Sequence, residues 1–561
     1  MTRLRFDAML AAILVLPPSP SRLSAQSSPP ARTGNDVVSG VVLGGASGQP
    51  LAGAEVTLRD LNGGHLAAEA TTGGDGSFLF THLPDGRYRL SASHRGYVQS
   101  AYQEHDGAAT AIVAGADLNT TGLQLTLPPD AAIYGTVTED SGDPVPQARV
   151  SLYRRRRDGG MARGPSATAD AMGNFDLPHL APGNYFLCAS GRPWYANAQN
   201  FIVGSSVQSP ASSPLDMAYR TACYPDGVDP AGAEPLTVNP GDRLPIDLVL
   251  HPVPAVHLTI QLPPPDPKHG FSLPQLREDV FGIPDFVQPG YNIISPGTPQ
   301  NPSQSMTVQV TVAPGQYEVQ FSSASGGASR ATSIDASTGP AGATSIDLSS
   351  LPVLPALSGK VVLAGGASQP AGLAVTLIPD QDEDNNLFAQ VAADGSFHID
   401  AVRPGRYEVR LFGDNGEHLA VTGLAAKGAF AQGRILQVGA APVTLTAFAA
   451  PANASIYGLA QIAGKPAPGV FVLLVPSDPY AGRDAWRPNQ SDSDGSFLFR
   501  HVPPGAYSLV AIQQGWTLDW ARPEVIARYF GKAVNLTVGP SSTRITLKDP
   551  LEAQPKQAQN Q

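Results

Sequence analysis

The chain has 561 residues, with 42 % hydrophobic and only 15 % charged side chains, and it carries 58 Gly and 54 Pro. A formal net charge of −11 and a pI near 5.4 argue against nucleic acid and anionic membranes as partners, since both demand concentrated Lys and Arg. The length sets an expectation of four or five domains, and many Gly and Pro with few charges fit short strands joined by turns.

At the N-terminus Arg3 and Arg5 precede an apolar run over 8–16, and a Pro/Ser stretch leads to Leu23-Ser24-Ala25-Gln26. This is the three-part pattern of a secretory signal peptide, 1–25, cleaved after Ala25. The apolar run is about half of the ~20 residues needed to span a bilayer. The expectation is an exported chain with no membrane span after signal removal, resident in the periplasm, at the cell surface or in the medium. Residues 26–35 read as a Ser/Pro linker.

The first repeat unit, 36–128, opens on Val37-Val38-Ser39-Gly40-Val41 and continues through Ala54-Glu55-Val56-Thr57-Leu58, whose alternation is that of a half-buried strand. Then comes Asp75-Gly76-Ser77-Phe78, followed by Leu83-Pro84-Asp85-Gly86-Arg87-Tyr88. The same series returns as Phe175 to Tyr185, Phe397 to Tyr407 and Phe497 to Tyr507, always with Phe and Tyr ten positions apart. The opening Gly precedes the Phe by 38 to 40 positions in each copy: Gly40 and Phe78, Gly135 and Phe175, Gly359 and Phe397, Gly458 and Phe497. Fixed spacing of this kind marks a repeat architecture.

The remaining units follow at 129–251, with an insertion at 195–235, then 252–352, 353–449 and 450–548. The unit at 252–352 is degenerate and keeps only Pro314-Gly315-Gln316-Tyr317 of the series. Its segment 263–303 shows no period and stays unassigned. Pro-containing junctions such as Leu127-Pro128-Pro129 suggest semi-rigid spacing between units. One short helix is expected at 523–530, with Pro at its start and Gly531 at its end. The tail 549–561, rich in Gln, Pro and Ala, reads as disordered.

Asp-Gly and Pro-Gly in the series are turn signals, because Gly tolerates positive φ and Pro presets it. The Tyr beyond the Pro suits a ring packed inward with its hydroxyl on backbone. His82, His179 and His501 stand four positions after the repeat Phe, and a residue locked to the repeat register is read as turn scaffold. Asp492-Ser493-Asp494 and the acidic run at 380–384 are read as solvated turns rather than Ca²⁺ sites, and Arg154 to Arg157 as a solvated hairpin tip. No zinc, nucleophile-elbow or phosphate-loop motif is present in the sequence. The expectation is therefore no catalytic, cofactor-binding or metal-binding residues, and no enzyme.

Two groups of residues remain chemically suggestive. Cys188 and Cys223 both fall in the second unit; export permits a disulfide, worth roughly 3–4 kcal/mol if formed, and two buried thiols are the alternative. Trp194-Tyr195 and Trp516 with Trp520 follow the strand headed by the repeat Tyr. They are candidate stacking platforms for sugar rings, or caps on the core.

The series Gly-x-Val, Gly-Ala-x-Val-x-Leu, Asp-Gly-Ser-Phe, Leu-Pro-x-Gly-x-Tyr and Gly-Tyr resembles the carboxypeptidase regulatory-like domain. The likeness covers units one, two, four and five. It implies a transthyretin-like (prealbumin-like) β-sandwich of about seven strands, with kinship to Cna B-type and starch-binding-like, carbohydrate-binding-like folds and to tandem-repeat exported bacterial proteins. The expected fold is all-β, a tandem array of about five transthyretin-like or Ig-like sandwiches. The expected role is structural, adhesive or interactive at the cell envelope, with a carbohydrate-binding array as the alternative and an unknown protein or polysaccharide as partner.

Overall fold

A computed structural model describes residues 34–115, 118, 120–195, 215–225, 229–264, 272–295, 306–322, 329–337, 344–366, 369–380, 382, 385–413 and 418–557. The expected signal peptide, most of the linker and part of the 195–235 insertion lie outside the described residues. The described chain forms five β-sandwiches in tandem.

Sandwich one shows how the series makes the fold. Its strands are β1 (Asp36–Gly44), β2 (Glu55–Asp60), β3 (Leu66–Thr71), β4 (Ser77–Leu83), β5 (Gly86–Ser93), β6 (Ser100–Ala101), β7 (Ile112–Ala114) and β8 (Leu123–Leu127). One sheet runs β4-β1-β8 and the other β3-β2-β5-β6, with β7 also on β5. β1 is antiparallel to β4 and parallel to β8. The inward residues of the two sheets, among them Val42, Leu58, Phe78, Leu90 and Leu125, form one buried core.

The Gly-to-Phe spacing has a direct physical meaning. Gly40 pairs with Phe78, Gly135 with Phe175, Gly359 with Phe397 and Gly458 with Phe497, each directly opposite across the ladder. In sandwiches one, four and five the ring lies over the glycine, whereas Gly135 is crowded by the carbonyl of Ile246. A Cβ on Gly359 or Gly458 would stand 2.3 Å from the Phe ring, and one on Gly40 2.2 Å from the carbonyl oxygen of Leu123. An aromatic covering a strand glycine in this way pins register.

The degenerate third sandwich keeps the topology without that pair. Its opening strand Val256–Leu262 is antiparallel to Met306–Val312 and parallel to Thr344–Asp347. Ile260 faces Val308 there, both fully buried. In the unassigned stretch the structure places a hairpin, Gln275–Val280 and Ile283–Phe286, and then the strand Gly290–Ser295. The hairpin turns on Phe281 (φ 59°) and Gly282 (φ 80°). A left-handed Phe is strained, but its ring packs 5.3 Å from Tyr153 and 5.2 Å from Phe186 of sandwich two.

Three expectations are corrected here. The tail is ordered through Gln557: Leu551–Glu552 pairs with Ala460 and Gln461, and Ala553 is buried. Alternating Leu551 and Ala553 join the fifth core, a signal that the Gln/Pro/Ala composition hides. The helix is shorter than expected, Pro523–Ile526, and it continues as a 3₁₀ segment Ala527–Lys532 that runs past Gly531.

The third correction concerns spacing. The sandwiches do not stand apart along a semi-rigid string. Arg157 of the Arg-rich hairpin donates to Asp106 of sandwich one at 3.0 Å, so this hairpin tip is not simply solvated. Arg163 of sandwich two reaches the carbonyl of Pro284 in sandwich three at 3.0 Å. Arg403 of sandwich four donates to Glu318 of sandwich three at 3.1 Å. Arg483 of sandwich five reaches both the carbonyl of Asp380 in sandwich four, at 2.8 Å, and Asp158 in sandwich two, at 3.3 Å. Sandwich five also closes on sandwich one, where Gln490 donates to the carbonyl of Gln103 at 2.7 Å. Every sandwich touches at least two others, and the array is a closed cluster.

Candidate functional site

The recurring polar residues are consumed by the fold. In all five sandwiches the Tyr hydroxyl donates to the carbonyl four positions earlier: Tyr88 to Pro84 (2.8 Å), Tyr185 to Ala181 (2.8 Å), Tyr317 to Ala313 (2.7 Å), Tyr407 to Arg403 (2.9 Å) and Tyr507 to Pro503 (2.9 Å). Burial pushes the Tyr407 phenol up to about 12. These rings staple the turn to the core in the manner of a tyrosine corner.

The turn Asp is committed as well. Asp75, Asp394 and Asp494 accept from the backbone N–H of Ser77, Ser396 and Ser496 at 3.1, 3.0 and 2.8 Å, and the Ser77 hydrogen bonds hold the Asp75 carboxyl below its usual range. The recurring His residues mark a bulge. His82, His179 and His501 have φ of 60°, 57° and 53°, and the ladder slips beside each of them. A bulge of this kind bends the strand toward the next turn. In sandwich four, where Ala401 takes the place, the strand Ser396–Ile399 stops short and the ladder runs without a slip.

The suggestive aromatics separate. Trp194 is 57 % exposed, with Tyr195 edge-on at 5.6 Å. Trp516 is only 4 % exposed. It packs edge-on to Phe471 at 4.7 Å and is stacked on His105 of sandwich one at 5.8 Å. Trp520 packs against the same cluster. The reading of Trp516 as an open stacking platform is therefore corrected, since His105 of sandwich one already occupies its ring face, whereas Trp520 is half-buried beside it. Sequence alone hides this, because the partner ring lies some four hundred positions away.

Cys188 and Cys223 face each other on adjacent strands and are joined by a disulfide. They lie in the apolar cluster with Tyr153, Phe186, Val280 and Ile283 that cements sandwiches two and three.

Concave sites lie at the joints. A cleft of about 950 Å³ between sandwiches three and four is lined by Gln275, Arg277, Gln320, Asp382, Asn385 and Arg403 among others. Arg277 is buried, its guanidinium lies 3.6 Å from Asp382 and over the Phe286 ring, and its Nε has no hydrogen-bond partner among the described residues. Burial lowers the pKa of that guanidinium. A smaller cavity between sandwiches two and three holds Arg192, Glu278 and Asn292; burial pushes the Glu278 carboxyl up to about 7, against the hydrogen bond from Thr221. The acidic turns are corrected too: Asp382 and Asp492 are buried against Arg277 and Arg87 rather than solvated. Among the described residues no group of three or more His, Cys, Asp or Glu is placed to hold a metal ion, and no helix is long and apolar enough to cross a membrane.

Comparison with known proteins agrees with the repeat. Residues 37–122 and 132–251 match the carboxypeptidase regulatory-like domain, and residues 356–415 match the second β-sandwich domain of NOMO1-like subunits of the BOS complex. No curated protein matches the chain. Solved structures that resemble it include the shaft pilin SpaA from Lactobacillus rhamnosus GG, 10 % identical with a TM-score of 0.19, covering 39 % of this chain and 98 % of the pilin. The minor pilin GBS52 of Streptococcus agalactiae is 15 % identical with a TM-score of 0.19, over 39 % of this chain and 97 % of that one. The Bacillus anthracis TIE protein is 8 % identical with a TM-score of 0.17, over 93 % of this chain and 75 % of that one.

Proposed function

We propose that this chain of tandem carboxypeptidase regulatory-like domains and related sandwiches is an exported, non-enzymatic protein with a structural, adhesive or interaction role outside the cytoplasm. One observation carries the reading. The Tyr hydroxyls and turn Asp carboxylates that recur with the repeat are spent on bonds that make the fold, as the five Tyr hydroxyls on backbone carbonyls illustrate, and the recurring His marks a backbone bulge. Recognition then belongs to surfaces where the sandwiches differ, and these are non-repeated joints and ends.

A second reading, a carbohydrate-binding array, draws on the exposure of Trp194. The test is retention of the mature chain on isolated cell envelopes, with a glycan array in parallel. Retention abolished by protease treatment of the envelopes, with a blank array, supports a protein partner. Glycan binding lost in Trp194→Ala supports the second reading. Turnover of any substrate by the purified chain would overturn both.

A further inference from the structure

The repeat supplies its own control for what sandwich five has acquired. Seven positions before the repeat Phe, sandwiches one, two and four carry Thr71, Thr168 and Gln390, all exposed. Five positions before it they carry Gly73, Asp170 and Ala392, again exposed. In sandwich five the same positions are Gln490 and Asp492, at 0 % and 2 % exposure. The fold does not bury these positions; sandwich one does.

The seam is specific. The Gln490 amide donates to the carbonyl of Gln103 (2.7 Å) and to the Thr110 hydroxyl (2.5 Å), and its oxygen lies 3.0 Å from His105 Nδ1. Ser493 N–H donates to the carbonyl of Ala111, and the N–H of Val113 returns a bond to the Ser493 hydroxyl, both at 2.9 Å. The Asp492 carboxylate meets the Arg87 guanidinium. His105 stacks on Trp516 beside this polar patch.

We propose that the turn 490–494 is a latch by which the last sandwich locks onto the first, and that the latch holds more tightly in acid than at neutral pH. A carboxylate stripped of water is costly unless its partner compensates fully. The charged groups facing Asp492 are Arg87 across the seam and Asp494 on its own turn, with the Ser496 hydroxyl as a donor. Desolvation and Asp494 raise the carboxyl while Arg87 and Ser496 lower it, and the balance pushes it up to about 6 from the ordinary 3.8. The sign follows from linkage. A carboxyl raised in the closed form takes up a proton on closing, so closure is strongest below 3.8 and weakens as pH rises through about 6. Between pH 7.5 and pH 5 the closing equilibrium then changes by about tenfold.

The test reads amide hydrogen exchange in the full mature chain at the N–H groups of Ser493 and Val113, which bond only across the seam. Protection is taken relative to the intrinsic rate at each pH, with the interior strand amide of Val472 as a control. The expected result is about tenfold greater protection at pH 5 than at pH 7.5 at the two seam amides, with Val472 unchanged. Asp492→Asn is expected to remove the pH dependence, and Gln490→Ala to lower protection at both pH values. Equal protection at the two pH values, or greater protection at pH 7.5, overturns the pH-sensitive latch; seam protection unaffected by Gln490→Ala overturns the docking role of the turn.

Discussion

At the scale of single residues, the opening glycine and the repeat Phe are one object. The backbone of Gly359 is approached so closely by Phe397 and by the carbonyl of Leu445, at 2.3 and 2.6 Å from a notional Cβ, that no side chain fits. Gly359→Ala is expected to destabilise sandwich four by about 1–3 kcal/mol through overpacking. Gly423→Ala in the same sheet, on the strand Leu419–Lys427, where a Cβ meets nothing within 4 Å, should be close to neutral. Denaturant unfolding of the two variants checks the contrast. The Tyr corner gives a second outcome. Tyr407→Phe removes a donor and leaves the carbonyl of Arg403 without its bond, at a cost of about 1–3 kcal/mol. A thermal melt unchanged by this substitution would show that the hydroxyl is not part of the staple.

At the scale of elements, legibility followed chemistry. The Gly-to-Phe spacing, the Asp-Gly turns and the alternating strands were readable because turn residues and periodicity act locally, and the structure places each Gly directly opposite its Phe. The hairpin of sandwich three was not readable. Two-residue turns of this hand announce themselves by Asn-Gly or Asp-Gly, whereas here Phe281 takes the left-handed position and is held there by rings from another sandwich. The short strand at Leu551–Glu552 escaped for a similar reason, since one pair of alternating residues is too brief a signal against a low-complexity background. The disulfide belongs to this scale as well. It ties the strand Gly183–Ser190 to Ala222–Cys223 inside the cluster shared with sandwich three. Replacing both Cys188 and Cys223 by Ala is expected to cost about 2–5 kcal/mol, read as a lower melting temperature of the mature chain; no loss would leave the bond without a stabilising role.

At the scale of the whole molecule, sequence gave the number and kind of units but nothing of their arrangement. Contacts between sandwiches are made by residues outside the repeat register, such as Arg157, Arg403, Arg483 and Gln490, and no local pattern links Gln490 to Gln103. The same blindness made Trp516 look like an open platform when His105 covers it. Closure changes what the array offers a partner: its recognition surfaces are joints and outer faces of one body, not beads on a string. Small-angle X-ray scattering of the mature chain at pH 5 tests this most directly. A closed cluster of this length should give a radius of gyration of about 25–30 Å, whereas five sandwiches of roughly 100 residues laid end to end would give about 50 Å. A value near the first supports the closed array, and a value near the second contradicts it.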